Sequence, residues 1–155
     1  MLRLKKLGLS NSVGESTFHL IKGGGVTQST IVLHKEGYRT KFLKTIKKQT
    51  IKITTIDKYC EERNIQPKGL KIDVEGAERL VIEGGIKTIK KNNLWIIMEF
   101  HGLLMPENTR KANWDKIVKS ARKIIFIDGK TDKYYSGMEL KEMPDCNYFH
   151  IFIQY

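Results

Sequence analysis

Apolar and polar positions change period several times along the chain, most sharply after residue 50. There, short apolar runs alternate with segments of helical period, as in βαβ units laid over a parallel sheet. Pro67-Lys68-Gly69 turns the chain into a strand predicted over Gly69 to Val74. Leu94 to Phe100, the run LWIIMEF, is almost continuously apolar, which predicts a central strand buried on both faces. Between them Ile82, Ile86 and Ile89 recur at i, i+4 and i+7. They predict one helix from about Ala77 to Lys91, with lysines gathered at its C-terminal end where the helix dipole favours them. Strand, helix and strand make one right-handed crossover.

Downstream, Trp114, Ile117, Val118 and Ala121 mark one face of a second helix, with Asn113 placed to cap it. Lys123 to Ile127 reads as a third strand ended by an Asp128-Gly129 turn, and Ser136 to Asn147 as a connecting loop. Tyr148 to Tyr155 alternates and is rich in aromatic and β-branched residues, predicting a strand that returns antiparallel to the one before. The first fifty residues are less regular: Leu2 to Leu9 and Ser16 to Ile21 read as short strands, and Gly23-Gly24-Gly25 as a flexible break. No lysine-serine pair or GxGxxG spacing follows those glycines, so a loop is expected there, not a phosphate cradle. Thr54 and Asp57 form an [ST]xx[DE] pattern that would box the start of a short helix reaching Arg63. The expected organisation is a single partial domain over 1–155, with an irregular segment over 1–50 and a βαβ core over 51–155.

At 155 residues and 40% hydrophobic content, the chain is long and apolar enough for one cored domain. Its 28 Lys and Arg against 17 Asp and Glu give a net charge of +11, which favours solubility and attracts polyanions. The basic residues are scattered in pairs such as Lys47-Lys48 and Lys90-Lys91, without interleaved aromatics. A solvated basic surface is therefore expected over a nucleic-acid groove. Cys60 and Cys146 lie far apart and outside any CxxC pattern, which points to a reducing, cytoplasmic setting with neither a disulfide framework nor a zinc site. No run approaches the roughly 20 apolar residues of a membrane span, and no apolar stretch follows Met1 to Lys6 to make a signal peptide.

The chemistry concentrates where the Gly69 to Val74 strand runs into the next helix, in Leu70-Lys71-Ile72-Asp73-Val74-Glu75-Gly76-Ala77-Glu78. Strand alternation puts Lys71, Asp73 and Glu75 on roughly one side, at the carboxyl end where open α/β sheets bind their ligands. A capping role for Asp73 or Glu75 would leave Lys71 unexplained, since a lysine buried in a strand needs a partner, for which Glu99 is available. Glu99 and His101 repeat the alternation at the end of LWIIMEFHG, with His101 able to exchange a proton near neutral pH. Lys71, Asp73, Glu75, Glu99 and His101 are the candidate catalytic residues, ahead of His19, His34 and His150. Asp73, Glu75, Glu99 and His101 are also donors of the type that bind divalent metals, but their spacing singles out no metal site and none is assigned.

Thr54-Thr55-Ile56-Asp57, Leu70 to Glu78, Glu83-Gly84-Gly85 and Met98-Glu99-Phe100-His101 together resemble the signature of FkbM-type methyltransferases. Leu7 to Gly14 resembles the segment that follows the third strand of these enzymes. The resemblance implies a Rossmann-like α/β fold, a mostly parallel sheet with an antiparallel C-terminal strand, that transfers a methyl group from S-adenosylmethionine. The usual acceptor is a hydroxyl of a sugar, lipid or secondary metabolite. By position it places Asp73 and Glu75 at the methionine end of the cofactor and the acceptor, Ser10 and Asn11 near the adenine, and Glu99 or His101 near the acceptor hydroxyl. The family's first strand, glycine-rich turn and second-strand acid should precede the segment that begins here at Met1. The fold is thus expected to be N-terminally truncated, with one edge of the Gly69 to Val74 strand left for self-association or a partner chain. A non-catalytic binding module and a basic nucleic-acid binder are the competing expectations.

Overall fold

A computed structural model describes residues 6–23, 26–32, 45–102, 107–119, 121–128, 134–136 and 149–155. The readings for Leu2 to Lys5, Gly24-Gly25, His34, Gly129 and the loop beyond Ser136, including Cys146, lie outside those residues.

Much of the stretch expected to be irregular is strand. β1 (Gly8–Leu9), β2 (Gly14–Gly23), β3 (Val26–Thr30) and β4 (Thr45–Thr54) form one sheet in the order β1-β4-β2-β3. Its spine is the antiparallel pairing of β2 with β4, from Gly14 opposite Ile53 to Lys22 opposite Thr45, while β1 runs parallel to β4. Thr and Ile supply the β-branched residues that suit a pleated surface. Residues 46–50 of β4 are exposed, and the strand becomes buried only at Ile53 and Thr54.

The second sheet holds β5 (Gly69–Ile72), β6 (Trp95–Phe100), β7 (Lys123–Asp128), β8 (Tyr134–Ser136) and β9 (Phe149–Gln154), in the order β5-β6-β9-β7-β8. β5 and β6 pair in parallel, as expected for a crossover, and β9 returns antiparallel. The sheet is nevertheless mixed and not mostly parallel. β9 inserts between β6 and β7 and pairs antiparallel with both, and β8 adds another antiparallel edge.

Among the described residues, four helices accompany the sheets: α1 (Ile56–Arg63), α2 (Glu78–Glu83), α3 (Ile86–Asn92) and α4 (Glu107–Val118). Their apolar residues meet the second sheet in one core that includes Ile82, Ile89, Trp114 and Ile117 from the helices and Ile96, Met98, Phe100, Ile151 and Ile153 from the strands. No helix among the described residues is long and apolar enough to cross a membrane.

β6 is buried on one face only, against the two-sided burial expected of LWIIMEF. Ile96, Met98 and Phe100 are fully buried, whereas Trp95 and Ile97 are 43% and 40% exposed. Trp95 shares its apolar surface sideways instead: its ring stacks on Phe152 with centroids 6.5 Å apart, and it lies over Gly69, where a Cβ would come within 2.2 Å of the indole.

The single helix expected from Ala77 to Lys91 is broken at Gly84-Gly85 into α2 and α3. Gly84 is pressed against the Ser10 backbone, and its carbonyl accepts the Asp57 N–H at 3.0 Å. The expected capping box does not form: Thr55 caps α1, its hydroxyl accepting the Lys58 N–H at 3.0 Å. Asp57 reaches across to accept the N–H groups of Lys87 (3.3 Å) and Thr88 (2.8 Å) in the first turn of α3. Asp57→Ala should therefore unseat a helix other than its own, costing about 1 kcal/mol, seen as a lower urea midpoint at unchanged slope. Asn113 does not cap α4; it is a buried residue inside it, because the polar first turns of that helix begin at Glu107, ahead of the apolar positions that revealed it.

Candidate active site

The chain leaves β5 at Ile72 and turns sharply before α2. Glu75 (φ 52°) and Gly76 (φ 99°) are consecutive left-handed residues, a conformation cheap for glycine and costly for glutamate. The turn is held by the Ala77 N–H on the Val74 carbonyl at 3.4 Å and by the Gly76 N–H on the Glu78 carboxylate at 3.0 Å. Glu78 is fully buried, and the same Oε1 lies 2.8 Å from Nδ1 of His101, just past the end of β6. One carboxylate thus ties the β5–α2 turn to the adjoining strand.

His101, only 3% exposed, turns its other nitrogen toward the acids. Nε2 lies 3.1 Å from Glu99 Oε1, 3.6 Å from Glu75 Oε2 and 3.9 Å from Asp73 Oδ1. Lys71 spans Asp73 (3.5 Å) and Glu99 (3.8 Å), supplying the partnership expected of it, although its side chain is 53% exposed and not buried. The structure therefore brings together Lys71, Asp73, Glu75, Glu99 and His101 at the carboxyl ends of two neighbouring parallel strands. Two residues join them that sequence reasoning did not select. His150 faces Glu99 across the β6–β9 register, with Nε2 3.6 Å from Oε2. Glu78 stands three and four residues before Val81 and Ile82, all of them buried, so helical period alone would have placed this acid on the inward face.

Burial is the largest influence on His101 and opposes its charged form. The hydrogen bond to Glu78 and the charges of Glu78, Glu75 and Glu99 outweigh it, so the pKa is raised above the ordinary 6.5.

Ser10 and Asn11 stand elsewhere. Ser10 is buried with its N–H on the Thr54 carbonyl at 2.9 Å. Asn11 donates to Glu83 Oε2 at 3.1 Å, at the end of α2 opposite Glu78. Glu83 also receives Arg79 and Lys116. Although burial alone would raise its pKa, these partners hold the carboxyl below its usual range.

Beside Asp73 a cleft of about 190 Å³ is lined by Leu9, Phe18, Thr30, Ile51, Val74 and Ala77. Ligand pockets usually enclose about 300–1,000 Å³, so this cleft suits part of a ligand rather than a whole nucleoside cofactor. With Asp73 in the lining of the cleft, the arrangement can receive positive charge and pass a proton within the acid–histidine group. Comparison with curated proteins and with solved structures finds no match. Residues 1–148 match the methyltransferase FkbM domain, so this chain, whose acid–histidine cluster closes the β5–α2 turn, belongs to the FkbM methyltransferase domain family.

Proposed function

We propose that the chain is an S-adenosylmethionine-dependent methyltransferase that acts on a hydroxyl of a small molecule or glycan, at the cluster of Lys71, Asp73, Glu75, Glu99 and His101. The observation that carries this reading is the convergence of those groups beyond the carboxyl ends of β5 and β6, where open α/β sheets bind ligands, in a member of this family. S-adenosylmethionine supplies an electrophilic methyl on a positively charged sulfur. Asp73 and Glu75 complement the positive methionine end of such a cofactor, and Phe18, Ile51 and Val74 provide an apolar wall against water. Glu99, 3.1 Å from His101 Nε2, would accept the proton of an acceptor hydroxyl to which the cofactor would supply its methyl group. Lys71 holds the Asp73 and Glu99 carboxylates in place, so the residues act chiefly by positioning.

Calorimetric titration of the chain with S-adenosylmethionine and S-adenosylhomocysteine tests the reading. Both should bind, and Asp73→Ala, at a half-exposed position that the fold tolerates, should weaken them about tenfold or more, equivalent to about 1.4 kcal/mol. Absence of binding by folded protein would instead support a non-catalytic module.

A further inference from the structure

The acid–histidine cluster has a second property that follows from the spacing of its donor atoms. One atom each from Asp73, Glu99 and His101 lie within 4.8 Å of one another. The separations from His101 Nε2 to Glu99, Glu75 and Asp73 are 3.1, 3.6 and 3.9 Å. Donors held about 2.0–2.2 Å from a shared ion stand roughly 3 Å apart at right angles and roughly 4 Å apart across it. The three separations from His101 Nε2 fall inside that interval.

The histidine is also oriented as a ligand. Its Nδ1 is engaged by a buried carboxylate, which fixes the ring and turns Nε2 to the acids, as second-shell carboxylates do for metal-bound imidazoles. An independent observation concerns charge. Glu78 is fully buried, and its Oε2 is a buried oxygen with no hydrogen-bond partner among the described residues. A buried carboxylate oxygen in that state is stabilised by added positive charge.

We propose that Asp73, Glu99 and His101 form a binding site for a divalent first-row cation, with Glu78 as the residue that positions His101. A single imidazole among carboxylate oxygens suits Mn²⁺ better than zinc, which favours nitrogen and sulfur, or calcium, which takes oxygen alone. Asp73, with 47% of its side chain exposed, leaves the ion a route in from solvent and a coordination position open to an exogenous oxygen. Cation binding does not depend on the methyltransferase reading, because it rests on the donor atoms alone.

The test uses the full chain after treatment with chelator, in the absence of cofactor. Mn²⁺ is titrated while the electron paramagnetic resonance signal of the free aqueous ion is followed, with calorimetry in parallel. One ion should bind per chain. Asp73→Asn and Glu99→Gln should each weaken binding at least about tenfold, while Glu15→Gln on the other sheet leaves it unchanged. Mn²⁺ should raise the melting temperature of the parent and not of Asp73→Asn. The proposal is overturned if no stoichiometric binding occurs below about 1 mM, the weak end for oxygen-ligand sites, or if both cluster variants bind as the parent does. S-adenosylmethionine titration of the same chelated protein reports on the methyltransferase reading separately.

Discussion

Glu78→Ala should destabilise the chain by about 3–5 kcal/mol, the cost of stranding one member of a buried charged pair. Glu78 is fully buried, and it accepts from the Gly76 N–H and engages His101 with the same oxygen. Removing it frees the left-handed turn at Glu75-Gly76 and leaves the imidazole facing a cavity. Urea unfolding of chelator-treated protein measures the loss, and Glu78→Gln, which keeps the shape and a hydrogen-bonding oxygen, should recover most of it. The same substitution changes how His101 titrates. Burial favours the neutral ring, and Glu78 is the leading influence holding its pKa above 6.5, so in Glu78→Ala the proton should leave at lower pH, as an imidazole NMR titration would show. The sign of the linked stability follows. A raised folded-state pKa contributes stability that is fully present below pH 6.5 and is lost as pH rises through the folded value; Glu78→Ala should reduce that contribution. A parent and variant with identical His101 titrations would show that the contact has no electrostatic consequence.

Gly84→Ala should cost about 3 kcal/mol, the upper part of the range for overpacking. An added Cβ would stand 2.0 Å from the Ser10 carbonyl oxygen, 2.9 Å from its carbon and 3.1 Å from Asn11 Cα. These are backbone atoms with no rotamer by which to escape. Nor can the segments separate freely, since Ser10 is bonded to Thr54 and the Gly84 carbonyl to Asp57. Gly84 has φ −74°, a conformation alanine adopts readily, so the penalty isolates close packing from backbone preference. Gly85→Ala provides the contrast. Its nearest obstacle is the Ile56 side chain at 2.9 Å, which can shift, so its urea midpoint should fall less.

That Lys71, Asp73, Glu75, Glu99 and His101 lie close together was legible because a period of two needs no knowledge of the rest of the fold. Once β5 and β6 pair in parallel with Ile72 opposite Met98, continuing the register by one residue sets Asp73 against Glu99. Features decided by distant partners were not legible. Glu78 looks like an ordinary first-turn acid until His101, 23 residues on, is placed against it. At the break, the Ser10 backbone packs so closely on Gly84 that a side chain there would collide with it. The apolar run of β6 says that burial is possible on both faces, not that anything is there to provide it, and Trp95 meets Phe152 and Gly69 instead of a helix. Ser10 and Asn11 were selected by resemblance alone, and the structure seats them at the far end of α2 from the cluster.

The strand order β6-β9-β7 also constrains the time course of synthesis. β6 and β7 leave the ribosome well before β9, yet neither pairs with the other in the finished sheet; each must wait for the same late strand to fill the gap between them. Until then two β-branched, apolar strand edges stand open side by side, the condition under which nascent chains pair wrongly or with each other. Arrival of β9 closes both edges at once and brings Tyr155 to the Leu94 carbonyl and to Ile117. The folding of the second sheet is thereby made nearly all-or-none, and a nascent chain halted before β9 would be a substrate for chaperones rather than a partly working protein.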